Sequence, residues 1–499
     1  MDKFDIAIIG SGLGGLICGY ILSKEGYSVC IIEKNVQIGG SLQNFVRDRC
    51  IFDTGAHYAG GLDEGQNLYK FFKYFGLIGK LKMRRLDEDA FDIISFGDTG
   101  EDYRFAMGYD RFYQTLLEKF PKEKEALTAY CDKLKEISNA FPLYNLRDDI
   151  KPFMEQEYYK ISAGGFIESI TQDKRLRNVL AGTNLLYAGL PDKTPLYIHS
   201  LINSTYIESA WRFVDGSSQI ARLLARSIKE QGGRIFTRKE VSRFIFENSN
   251  IESLELTDGS RIEAKYFISN LHPSRTLEMI DFSKIRKTYR SRINELENTI
   301  SIFTTYMILK NNSFNYINSN YYCYRGDNAW AAANYDHAQW PESYMLLTSA
   351  NSKSVEFAES ITAMSYMKYN EVNQWEGTIE GERGEDYERF KQEKAERQID
   401  FIERKFPGLR SHIVKYYTST PLTYRDYIGT KDGSLYGIQR DCNDPLKSLI
   451  LPRTKIPNLF FTGQNVNLHG ILGVTIGAIL TCAEFLGLKY LLGKINESN

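Results

Sequence analysis

Residues 4–33 read FDIAIIGSGLGGLICGYILSKEGYSVCIIE, and the order of residue types in this stretch decides the fold. The run from Asp5 to Ile9 ends in four consecutive apolar residues, as a strand buried on both faces requires. A glycine turn follows, Gly10-Ser11-Gly12-Leu13-Gly14-Gly15, and then a helical pattern from Leu16 to Lys24 that stops at Gly26. A second strand, Ser28 to Ile32, ends at Glu33. Strand, glycine turn, helix and strand within about 30 residues make one βαβ unit of the dinucleotide-binding kind. Gly10 permits the tight turn, Gly12 lets backbone approach a pyrophosphate, and Gly15 lets the helix pack on the strand. The helix N-terminus offers free N–H groups and a positive dipole end to phosphate. Glu33 stands 18 residues beyond Gly15, placed to accept from ribose hydroxyls and to repel a 2′-phosphate, which argues against NADP here.

Moving outward, Lys34 leads to a second glycine turn, Gly39-Gly40-Ser41, and then to Phe52-Asp-Thr-Gly-Ala-His-Tyr58. A simple NAD dehydrogenase has no use for glycine turns in this pattern. Near the other end, a strand over 458–462 runs into Gly463-Gln464-Asn465. A helix starting between Gly470 and Thr475, and so including Gly473 and Val474, would aim its amides at a flavin pyrimidine and stabilise negative charge there. The two chain ends together predict FAD rather than NAD.

The chain resembles the carotenoid desaturase, carotenoid isomerase and retinol saturase group of the amine-oxidase-like flavoproteins. The resemblance rests on Gly10–Gly15, Glu33-Lys34, Gly39–Ser41 and the 52–58 segment, with Ser269-Asn-Leu-His-Pro273, Thr420–Tyr427 and Phe461–Gly470. It implies an α/β fold: a Rossmann-like FAD-binding domain of the GR2 type with an inserted α+β substrate domain. The expected division is 1–75, 200–275 and 455–499 for the cofactor, and 76–199 with 276–454 for a substrate-binding, helical part. It further implies hydride exchange with a carbon–carbon bond of a long apolar molecule, by saturation, desaturation or cis–trans isomerisation. Val241 matches the place where such proteins touch adenine through backbone. An amine or amino-acid oxidase of the same fold, and a flavin-binding protein without turnover, are the alternatives. With one glycine fingerprint and no redox-active cysteine pair, the electron partner is expected to bind transiently: NAD(P)H, a quinone or a small carrier.

His57 and Tyr58, beside the second glycine turn, are candidate proton donors to the carbon opposite the hydride position. Tyr424 and Asp426 are candidates for the same face of the flavin, with turn scaffolding as their competing role. His57 and His469 compete for cofactor contact as well. His272 is expected to serve a strand-end loop, and His199, His337 and His412 read as unpaired. Six histidines without HExxH-like spacing, and seven cysteines without CxxC spacing, predict no metal site.

The 499 residues exceed one compact core, so two or more lobes are expected. A formal net charge of -1 gives no basic surface for nucleic acid. The scattered cysteines and the absence of a leader pattern predict a cytoplasmic chain, with peripheral membrane contact following from an apolar substrate. Segments 234–268 read as a β-meander, 296–350 as strand-rich, and 110–180 as largely helical. A Ser-rich turn at 352 is followed by a charged helical region to 405, and 471–492 reads as a buried helix.

Overall fold

The computed structural model describes residues 3–97, 101–149 and 157–498. β1 (Lys3–Ile9), α1 (Leu13–Lys24) and β2 (Val29–Ile32) form the βαβ unit, with the two strands parallel and Ile8 opposite Ile31. On its other side β1 pairs in parallel with Arg261–Ser269, placing Ile8 opposite Ile268. That nine-residue strand serves two neighbours. Its C-terminal half carries Leu459–Phe461 in parallel, and its N-terminal half carries Asn250–Leu256 antiparallel. Val241–Glu247 completes the meander on Asn250–Leu256.

Arg234–Phe236 does not belong to that meander. It pairs in parallel with β2, because the helix Ser218–Glu230 before it is a crossover that returns the chain in the same direction. α1, Ser218–Glu230 and Gly470–Leu486 bury one shared apolar core against this sheet. α1 begins at Leu13, three residues earlier than its apolar pattern suggests, so Gly14 and Gly15 lie in its first turn.

A second sheet of seven strands runs in the order 413–419, 301–309, 360–367, 343–348, 320–324, 92–96, 101–105. Its pairs are antiparallel except for 92–96 against 320–324. Residues 360–367 correct the reading of 352–405 as helical. Ser-Ile-Thr-Ala-Met-Ser-Tyr-Met is buried at every position and lies within the sheet, and the helix is confined to Glu385–Lys405. Small and apolar residues alternating on a sheet covered on both faces carry no helical period. Residues 421–428 are likewise a helix rather than a turn, with Pro421 in its first turn and Thr420 and Thr423 closing a capping box. The apolar C-terminal stretch is two helices, Gly470–Leu486 and Leu488–Glu497, bent by 120° at Gly487. Among the described residues no single helix is long and apolar enough to cross a membrane.

Candidate functional site

The C-terminal ends of β1, β2, Arg261–Ser269 and Leu459–Phe461 converge on a cavity of about 660 Å³, within the range of small-molecule sites. Open α/β sheets bind ligands at this edge. Gly10 turns the chain with φ +93° while its N–H donates to Ile32 O at 2.8 Å. A Cβ on Gly15 would sit 2.2 Å from the Gly10 carbonyl oxygen, and one on Gly14 would sit 2.9 Å from the Gly463 nitrogen. The N-terminal fingerprint therefore packs directly on the C-terminal turn. The second glycine turn closes from the other side, with Gly39 N–H donating to Ser11 O at 3.0 Å.

Asn270, whose N–H donates to Ile9 O at 2.9 Å, puts its carboxamide across this junction, within 2.8 Å of where side chains on Gly12 or Gly14 would begin. It is a site residue that the βαβ reading passed over. The Ser269–Pro273 motif flagged its segment, but its place beside the glycine turn follows from a strand adjacency that is tertiary.

Glu33 is 6% exposed, and its carboxylate is already engaged. It accepts from Ser11 N–H at 3.0 Å, Ser11 Oγ–H at 2.6 Å and Asn35 N–H at 2.8 Å. The carboxylate that would meet a ribose thus already braces the glycine turn. Lys239 N–H donates to Glu33 O at 2.9 Å, which sets Val241 on the cavity wall. Lys34 Nζ donates to Asp426 O at 2.6 Å and Asn35 Nδ2 to Tyr427 O at 3.0 Å, fastening the helix Pro421–Ile428 over this end.

At the other end, Ser41, His57, Gln464, Gly470 and Val474 line the cavity, with the free N-terminus of Gly470–Leu486 facing it. Asn465 also lines the cavity, and its Oδ1 accepts from Ile438 N–H at 2.9 Å. Gly473 stands apart from these residues. It lies off this cavity, and a Cβ there would stand 2.6 Å from Leu468 Cβ, so its smallness serves the packing of helix on turn.

The candidate proton donors separate sharply. Tyr58 Oη bonds Asp92 Oδ2 at 3.1 Å and Tyr322 Oη at 2.5 Å, and neither partner lines the cavity. Its ring lines the site while its hydroxyl is consumed behind it, which removes it as a proton donor. Tyr424 Oη donates to Thr54 O at 3.1 Å, and the Asp426 carboxylate is paired with Arg383 and Arg425. Both are scaffold. His57 differs from these three: its Nδ1 is buried without a partner among the described residues. Burial and the nearby Arg212 charge push its pKa down to about 4, so it is neutral at physiological pH. His469 bonds Leu186 O at 2.9 Å, and burial lowers its pKa to about 4.

Three histidines are better explained by the structure than by the sequence. His272 caps the helix Pro273–Glu278 and bonds Asn298 Oδ1 at 2.8 Å. His199, which reads as unpaired, is fully buried between the hydroxyls of Tyr130 and Tyr187, each at 2.8 Å. His337 lies 3.4 Å from Glu371, so it too has a partner.

The wall facing the glycine turns comes from the second sheet and was not legible in the sequence. Ile302, Met345 and Met364 project from three of its strands, joined by Leu186, Tyr366 and Tyr436. Tyr366 and Tyr436 spend their hydroxyls on backbone carbonyls of Asn184 and Leu185, at 3.1 and 2.9 Å. What they present to the cavity is ring.

FAD fits these residues. The cradle excludes any Cβ at Gly14 and Gly15, a helix N-terminus faces the far end, and His57 Nδ1 is a buried polar atom awaiting a partner. Gly10–Gly15, Glu33 and Val241 would hold the nucleotide, and Ser41, His57, Gln464, Gly470 and Val474 the flavin. Fold and site together define an FAD-dependent oxidoreductase.

Residues 8–75 match the family model described as an NAD(P)-binding Rossmann-like domain. The all-trans-retinol 13,14-reductase of Macaca fascicularis is 24% identical over 97% of this chain and 86% of its own length. The chloroplastic prolycopene isomerase of Daucus carota is 23% identical over 97% of this chain and 80% of its own. A putrescine oxidase crystal structure shares the fold, with a TM-score of 0.65 at 13% identity, covering 97% of this chain and 99% of that one. Along nearly its whole length the chain is similar to retinol reductases and prolycopene isomerases.

Proposed function

We propose that this enzyme acts on a carbon–carbon double bond of a long, apolar, polyene-like substrate, by saturation or by cis–trans isomerisation. The observation that carries the reading is the wall built by Ile302, Met345, Met364, Tyr366 and Tyr436, where the tyrosines turn their hydroxyls away. Charged residues do line the cavity, but they cluster elsewhere. At the nucleotide end the Glu33 carboxylate is engaged by Ser11 and Asn35, Lys34 Nζ donates to Asp426 O, and Lys239 pairs with Asp258. An ammonium substrate would find no carboxylate on the wall from the second sheet, which disfavours amine oxidation. The full-length similarity to a retinol reductase and a prolycopene isomerase supports the same reading.

A bound flavin supplies the capacity to accept or donate a hydride. The chain supplies position and dryness. Ile302, Met345 and Met364 hold an apolar chain against the glycine turns and exclude water. The helix N-terminus at Gly470 stabilises negative charge at the flavin end. His57, neutral and with an unspent ring nitrogen, can hold a proton at Nδ1 or pass one on.

One dinucleotide fingerprint is fully used by FAD, so the electron partner, NAD(P)H or a quinone, binds only transiently. A substrate of this kind resides in membranes, so the enzyme works in peripheral contact with one. The test is to reconstitute the chain with FAD, reduce it anaerobically, and add all-trans-retinol or a cis-polyene. The expected result is loss or shift of the polyene absorbance together with reoxidation, or isomerisation without net redox change. Hydrogen peroxide release from an amine panel, with no change in any polyene, would overturn the proposal.

A further inference from the structure

A second, smaller cavity of about 190 Å³ adjoins the first, and the two share Tyr58, Leu186, Tyr206, His469, Gly470 and Ile471 as a common neck. Beyond the neck its wall is apolar, with Phe141, Leu143, Leu201, Ile202, Leu468 and Leu472 prominent. Among the described residues no Asp, Glu, Lys or Arg lines it; Arg440 lies behind the wall, spent on the carbonyls of Ser448, Asn465 and Asn467. Its histidine, His469, is neutral at physiological pH because burial lowers its pKa to about 4. A space of this size takes about six groups of water or methylene dimensions, at roughly 30 Å³ each.

Tyr206 stands apart in this neck. Six tyrosines line the larger cavity, and five of them have spent their hydroxyls. Tyr58 bonds Asp92 and Tyr322, Tyr366 bonds Asn184 O, Tyr424 bonds Thr54 O, Tyr427 bonds Glu380, and Tyr436 bonds Leu185 O. The Tyr206 hydroxyl has no hydrogen-bond partner among the described residues. Its ring is held against that of Tyr58, with centroids 4.5 Å apart, and Tyr58 is in turn anchored through its own hydroxyl. A rigidly held hydroxyl at the mouth of an apolar chamber is a ligand contact with no internal duty. The other uncharged polar residues on the chamber wall include Asn467 and the Tyr144–Thr205 pair, whose hydroxyls bond each other at 2.9 Å.

We propose that the smaller cavity is a substrate subsite that receives one end of the molecule, with Tyr206 donating a hydrogen bond to a neutral oxygen carried there. The inference rests on the polyene reading of the larger cavity and adds a selection rule to it. An alcohol or carbonyl group satisfies Tyr206. An ionised carboxylate would be buried with no cation on the chamber wall among the described residues, since Arg440 behind it is spent on backbone carbonyls, and the cost far exceeds what one hydrogen bond returns. The enzyme therefore discriminates between polyenes of one carbon skeleton by the charge of their oxygen function.

The experiment uses FAD-loaded enzyme of verified flavin content and titrates three probes near neutral pH, followed by quenching of tryptophan fluorescence. The probes are all-trans-retinol, the hydrocarbon of the same skeleton without its hydroxyl, and the corresponding carboxylic acid. Tyr206→Phe is expected to weaken the alcohol by about 5- to 10-fold and the hydrocarbon by less than about 2-fold. Ile202→Trp, which fills the chamber, is expected to weaken both by about tenfold or more without altering flavin content. The acid is expected to bind wild-type enzyme at least about 100-fold more weakly than the alcohol. Equal effects of Tyr206→Phe on alcohol and hydrocarbon would overturn the role of the hydroxyl. An acid that binds as tightly as the alcohol, or an Ile202→Trp enzyme with unchanged affinities, would overturn the subsite. If flavin-loaded wild type binds none of the three, the polyene reading itself fails, and this one fails with it.

Discussion

Asp92→Asn should change how the stability of this protein depends on pH, and the size of the change follows from the site behind Tyr58. Asp92 is fully buried and accepts from Asn320 Nδ2 at 2.8 Å and Tyr58 Oη at 3.1 Å. Burial outweighs those bonds and the Arg212 charge, and raises its pKa from the ordinary 3.8 to about 7. Between those two values the folded protein keeps a proton that the unfolded chain has released. The stabilising contribution is therefore fully present below about pH 4 and is lost as pH rises through about 7. Each pH unit in that window is worth about 1.4 kcal/mol, so the whole effect is on the order of 4 kcal/mol. An amide cannot ionise, and the substituted chain should lack this slope. Urea unfolding of both proteins, at a series of pH values from 5 to 8, isolates the group because every other titration cancels in the difference. The variant should gain on wild type by about 1.4 kcal/mol per unit and level off above about pH 7. A difference that is flat with pH, or that falls as pH rises, would refute the reasoning.

Gly14→Ala places a methyl 2.9 Å from Gly463 N and should weaken FAD by about tenfold or more, measured as flavin retained after gel filtration. Gly493→Ala, which meets nothing within 4 Å, serves as its control and should keep full flavin. Arg212→Met removes the donor that satisfies Ile317 O, Ser319 O and Asn320 Oδ1, and should cost about 3 kcal/mol or more in denaturant titration. Asp426→Asn leaves the buried Arg383 guanidinium without its counter-charge. It should lower stability by about 1–3 kcal/mol while the pH profile of polyene turnover stays in place, since Asp426 is scaffold. Thr420→Ala should cost about 1 kcal/mol through loss of the helix cap, read as a lower melting temperature.

The cofactor half of the site was written in local sequence. A tight turn, a helix N-terminus and a carboxylate at a strand end are contacts within about 30 residues, so residues 4–33 carry them without help. The Gly463 turn was legible for the same reason, as a strand, a glycine turn and an apolar helix in succession. Short motifs spread along the chain also carried the resemblance to retinol saturases and carotenoid isomerases, and the full-length similarity agrees with it. Sequence reading misassigned Ser360–Met367, because a strand buried on both faces shows no alternation of buried with exposed positions, and it gave Tyr58 a free hydroxyl.

Tertiary structure alone decided which polar groups face the cavity. Tyr58, Tyr206, Tyr366 and Tyr436 are the same residue type, yet only one keeps its hydroxyl unspent, because the others meet Asp92 or a carbonyl brought from 34 to 251 positions away. The apolar wall has the same origin, since Ile302, Met345 and Met364 become neighbours only when three strands pair. Cofactor binding depends on backbone shape, which nearby residues dictate. Substrate recognition depends on side-chain satisfaction, which only distant partners can settle.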